Sequence, residues 1–73
     1  MEIVTISAEL WGYTGSEVFY IMSDKRDMNK NKKKLVDTLY GLALARNYPT
    51  TKEDIEATVE YDMDIQLGEV YKQ

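Results

Sequence analysis

The chain has 73 residues, a formal charge of −4, no cysteine and no histidine. Disulfides and zinc–thiolate sites are thereby excluded, and the commonest general base and transition-metal ligand are missing. A chain this short is expected to form one domain spanning 1–73, burying only about 60% of the surface its unfolded form exposes.

The lack of cysteine fits a reducing cytosol. There is no basic-then-apolar leader and no run near the ~20 apolar residues of a bilayer span. A cytoplasmic protein, complete from Met1 and without membrane contact, is the expectation. The net charge conceals a segregation. Six of the nine basic residues lie within 25–34 (Lys25, Arg26, Lys30, Lys32, Lys33 and Lys34), and seven of the thirteen acids lie within 53–69.

In chain order, "MEIVTISAELWGY" places Val4, Ile6, Ala8 and Leu10 on one parity and Thr5, Ser7, Glu9 and Trp11 on the other. That period of two, rich in β-branched residues, predicts a strand over 2–12. Gly15 in "YTGSE" can adopt the positive φ of a tight hairpin turn. "EVFYIMS" follows as the return strand. In "KKLVDTLYGLALARNYP", Leu35, Val36, Leu39, Tyr40, Leu42 and Ala43 recur at helical spacing. A helix is predicted over 29–47, about 28 Å long, with Asn29 and Asn31 as candidate N-caps and Pro49 as its terminator.

The segment "IEATVEYDMDIQL", 55–67, fits two periods. Every odd position from Ile55 to Leu67 is apolar, as in a strand. Ile55, Val59, Met63 and Leu67 also fall four apart, and "TTKED" puts Thr51 and Asp54 in helix-capping positions. The β-branched residues Ile55, Thr58, Val59 and Ile65, and a hairpin's need for a third strand, favour the strand. The expected fold is α+β: a β-β-α-β domain, with a three-stranded antiparallel sheet and one helix packed on one face. The third strand lies beside the first, in a right-handed crossover. Such a strand would reach roughly 43 Å, so it either curves or overhangs the helix, and an overhanging edge invites homodimerisation.

On this register Glu56, Thr58, Glu60, Asp62, Asp64 and Gln66 face away from the helix, beside Thr5, Ser7, Glu9 and Trp11. One use of such a face is to mimic DNA. Its carboxylates would fall about one per 7 Å, against about one charge per 1.7 Å in duplex DNA, so the mimicry is thin; a merely solvated face is the plainer alternative. Lys30, Lys32, Lys33 and Lys34 crowd the start of the helix, where the macrodipole disfavours cations. They offer an anion site for phosphate or nucleic-acid backbone, a contact for the chain's own acids, or simple solvation. Trp11 and Tyr13 beside the turn, among six tyrosines in all, suit an interface.

Catalytic motifs are missing. Ser7, Ser16 and Ser23 have no histidine to activate them. Asp62-x-Asp64 resembles the start of a calcium loop, but Leu67 stands where glycine is required. No phosphate-binding glycine loop is present, and no cofactor or metal is expected. The function these features favour is a small, acidic, non-enzymatic protein-interaction module. An inhibitor or regulator of the size that phages and mobile elements carry is one form. It would occlude a basic site on another protein through Glu9, Trp11, Glu56, Glu60, Asp62 and Asp64. The alternative is a nucleic-acid-binding regulator acting through Lys30, Lys32, Lys33 and Lys34.

Overall fold

In the computed structural model, which describes residues 2–62, the strict alternation of the N-terminal segment becomes strand β1 (Ile3–Trp11). Val4, Ile6, Ala8 and Leu10 point to one side and are essentially sealed from water. The chain reverses through Tyr13 and Thr14, with Gly12 N–H donating to the Gly15 carbonyl at 2.7 Å. Gly15 takes φ 152°, a conformation open mainly to glycine. Strand β2 (Ser16–Asp24) then pairs antiparallel along the whole of β1, from Trp11↔Ser16 to Ile3↔Asp24.

The helix begins and ends differently from the sequence expectation. The Asp24 carboxylate accepts from Arg26 N–H at 2.9 Å and caps a 3-10 turn, Lys25–Asp27. That hydrogen bond, with the adjacent guanidinium, holds the Asp24 carboxyl below its ordinary value. Helix α1 (Met28–Ala45) follows with Asp27 at its N-cap, so Asn29 and Asn31 lie inside the helix. Asn31 instead donates from Nδ2 to Ser23 Oγ at 2.8 Å, satisfying a buried hydroxyl. At the other end Asn47 adopts φ 61°. Tyr48 N–H donates to the Ala43 carbonyl at 2.9 Å and Asn47 N–H to that of Leu44 at 3.2 Å. This is a Schellman stop, so Asn47 ends the helix before Pro49 can.

The largest correction concerns 55–67. Residues 55–59 do not join the strand: Ile55 and Glu56 belong to a second, short helix, α2 (Lys52–Glu56), Ala57 caps it in helical geometry, and Thr58 lies in the turn that leads out. Thr51 Oγ1 accepts from Asp54 N–H at 3.1 Å, and Glu53 and Asp54 sit in the first turn, where the helix dipole favours carboxylates. Capping outweighs β-branching here, since Ile55 reaches the core from the helix as readily as from a strand. Strand β3 (Glu60–Asp62) pairs antiparallel with β1, giving the sheet order β2-β1-β3. The fold is therefore α+β, with a three-stranded antiparallel sheet and one main helix against it. The rest of the predicted strand, 63–67, with its curvature or overhang, lies outside the described residues.

One core joins these parts. Leu35, Val36, Leu39 and Ala43 of α1 and Ile55 of α2 bury against the inward row of β1. Each large aliphatic side chain so buried contributes about 1.5–3 kcal/mol. Two ion pairs tie α2 to α1: Lys32 Nζ to Glu56 Oε2 at 2.7 Å and Lys52 Nζ to Asp37 Oδ1 at 3.0 Å. Both helices thus cover the same face of the sheet. Among the described residues no helix is long and apolar enough to cross a membrane.

Candidate functional site

The face of the sheet turned away from the helices is built by register. Directly opposed residues in an antiparallel pair share a face. Thr5, Ser7, Glu9 and Trp11 of β1 therefore align with Met22, Tyr20, Val18 and Ser16 of β2, and Thr5 and Ser7 with Asp62 and Glu60 of β3. The result is three columns: apolar on β2, polar in the middle, acidic on β3.

The apolar column is the feature the sequence reading left unassigned. Val18, Tyr20 and Met22 are 58%, 69% and 58% exposed, and Trp11, diagonal to Val18 across the strand pair, is 56% exposed. Single exposed apolar residues are ordinary; four neighbours on one sheet face are not. A signal was available. A two-residue hairpin loop sets the register, and inward Leu10 paired with Glu17 forces Val18, Tyr20 and Met22 outward with Glu9 and Trp11.

Glu9 and Trp11 are held rather than loose. Trp11 Nε1 donates to Glu9 Oε1 at 3.2 Å. The Glu9 N–H, on the β1 edge beyond the reach of β3, donates to Thr58 Oγ1 at 2.8 Å, and that hydroxyl donates to the Ile55 carbonyl at 2.7 Å. Thr58 thus closes α2 and fixes the backbone beneath Glu9. A shallow depression lined in part by Ser7, Glu9, Val18, Thr58 and Glu60 lies between the apolar and acidic columns. No Lys or Arg occupies an outward strand position, so the face is negative wherever it is charged.

Of the residues singled out from sequence, the structure brings together Glu9, Trp11, Glu60 and Asp62. It takes Glu56 away: α2 carries it to the helix side, where Lys32 holds it. The Lys32 hydrogen bond, reinforced by the ammonium charge, pulls the Glu56 carboxyl below its ordinary value and raises Lys32 in turn. Asp64 lies outside the described residues. The lysines also divide. Lys32 is committed to Glu56, while Lys30, Lys33 and Lys34 are exposed along α1. Lys30 and Lys34 face solvent, Lys33 lines a shallow depression between α1 and α2 with Lys32, Lys52, Asp37 and Glu56, and Asp27 at the helix start makes no side-chain cap. Among the described residues no group of three or more acidic, histidine or cysteine side chains is placed to hold a metal ion.

Compared with known proteins, the chain matches no family model, no curated protein and no solved structure.

Proposed function

We propose that this chain is a non-enzymatic protein-binding module whose working surface is the sheet face opposite the helices. Trp11, Val18, Tyr20 and Met22 supply the apolar contact, and Glu9, Glu60 and Asp62 the acidic rim. The observation that carries the reading is the coincidence of four exposed apolar side chains and three carboxylates on one face of a paired sheet. Aromatic and methionine anchors inside a charged rim are the usual anatomy of a protein interface. The complementary partner presents a partly apolar patch bordered by Lys or Arg, and binding occludes that patch. Regulation or inhibition by occlusion follows as the mode of action. A site built to imitate nucleic acid would be charged throughout, whereas the β2 side of this face is greasy.

The test is capture from the native host's lysate with immobilised protein. A partner that binds the unaltered chain is expected to be lost with Trp11→Ala/Tyr20→Ala. It is expected to be released at lower salt from Glu9→Gln/Glu60→Gln/Asp62→Asn, while Lys33→Ala on the helix side retains it. Circular dichroism establishes that each variant keeps the fold. Equal retention by all of them would refute the assignment of this face.

A further inference from the structure

The second exposed feature of β2 is its edge. Among the described residues the sheet order leaves β2 terminal, and its nine residues, SEVFYIMSD, contain neither proline nor lysine, the usual devices that keep an edge strand from pairing. The direction of its backbone groups follows from the hairpin. Gly12 bonds to Gly15 at one end and Lys25 N–H bonds to the Glu2 carbonyl at the other. Hydrogen-bonded pairs alternate along an antiparallel ladder, so Glu17, Phe19, Ile21 and Ser23 turn their amides toward β1. Ser16, Val18, Tyr20, Met22 and Asp24 turn theirs to the open side.

We infer that β2 pairs with β2 of a second copy, antiparallel about Tyr20, joining two sheets into one of six strands. This two-fold register matches all nine residues and sets every outward-directed residue opposite another: Tyr20 with Tyr20, Val18 with Met22, Ser16 with Asp24. About ten backbone hydrogen bonds result. Charge is complementary in the sense that matters: Asp24 and Glu17 meet Ser16 and Ser23, and no carboxylate faces a carboxylate. Both faces gain contact. On the outer side the Val18–Tyr20–Met22 columns become neighbours. On the helix side Phe19 meets Ile21, each partly buried against its own core and covered further by the other. A strand of this length spans about 30 Å, so the interface is small by the standards of obligate dimers and dissociates on dilution.

The inference does not rest on the proposed function, because an edge pairs in the plane of the sheet and leaves the outer face open. In the dimer that face doubles, with a shared apolar centre and an acidic flank at either side.

The test is sedimentation velocity of the full chain, without partner, over a concentration series reaching about 1 mM. The expected result is a monomer–dimer equilibrium. The dimer is expected to be lost in Tyr20→Pro, which removes an outward-directed N–H and none that bonds β1. It is expected to be lost in Val18→Lys/Met22→Lys, which opposes like charges twice, and regained in Val18→Lys/Met22→Glu, which opposes unlike ones. Circular dichroism reports whether each variant is folded. Amide exchange adds a readout on the unaltered chain: Val18, Tyr20 and Met22 become protected as concentration rises, while Phe19 and Ile21 are protected throughout. A chain monomeric at every concentration overturns the inference, including one whose edge amides are protected by its own C-terminal residues. So does a dimer that survives the Lys/Lys pair. Trp11→Ala separates the two proposals, since it weakens partner capture and leaves the dimer unchanged.

Discussion

Gly12 stands where the hairpin loop meets the end of α1, and a single methyl group tests that junction. A Cβ added at Gly12 would lie 2.6 Å from Tyr48 Cζ and 2.9 Å from Cε1 and Oη, against about 3.5–4.0 Å for relaxed carbon contacts. The ring must therefore retreat by about 1 Å. It is not free to do so. It packs edge-on to Tyr13 with centroids 5.8 Å apart, carries the Arg46 guanidinium 5.8 Å from its centroid, and leans on the core. Losing the aromatic pair forfeits about 0.5–1.5 kcal/mol, and the cation–π contact about 0.5–1 kcal/mol. Gly12→Ala is thus expected to destabilise by about 2 kcal/mol, within the range for overpacking, with a Tm lower by on the order of 10 °C in a domain this small. Backbone strain does not confuse the result, because Gly15 is the described glycine with positive φ and Gly12 is not. Urea unfolding followed by circular dichroism measures the change. The same substitution in a Tyr48→Ala background is expected to be nearly neutral, giving a coupling energy close to the single-mutant cost. A full loss in that background, or none in the unaltered chain, refutes the packing argument.

Three further outcomes follow. Asn47→Ala is expected to destabilise by about 1 kcal/mol, because alanine tolerates the left-handed region poorly, while Asn47→Gly stays within about 0.5 kcal/mol; chemical denaturation of the two variants checks it. The Glu56 carboxyl is lowered from 4.5 by Lys32, so the pair's contribution is present above pH 4.5 and disappears as pH falls through the lower folded value. Stability measured against pH for Glu56→Gln is expected to converge with that of the unaltered chain in acid and to lie slightly below it near neutrality. With Lys32 engaged and a net charge of −4, no mobility shift of duplex DNA or RNA is expected at low salt. A shift that weakens log-linearly with salt and vanishes on replacing Lys30, Lys33 and Lys34 with alanine would move the function to α1.

The first half of the fold is written in local patterns. Alternation along 3–11, Gly15 at the turn and the spacing of Leu35, Leu39 and Ala43 each follow from one element's own geometry, and each specifies which side is apolar. The outward parity of Glu60 and Asp62 was legible for the same reason. Residues 55–59 were not, because alternation and a four-residue repeat share the positions Ile55 and Val59. The contest turned on a hydrogen bond from Asp54 N–H to the Thr51 side chain, worth about 1 kcal/mol.

Other features exist only once distant segments meet. Glu56, carried off the acidic face by α2, meets Lys32 from 24 positions earlier. Gly12 is constrained by a ring 36 positions away. The sequence marks Val18, Tyr20 and Met22 as β-formers, but whether a covering layer lies over them is a property of the assembled sheet. Both helices choose the other face, since the unbroken aliphatic row Val4, Ile6, Ala8 and Leu10 offers more area to bury there than the mixed row opposite. That choice leaves Val18, Tyr20 and Met22 of β2 exposed.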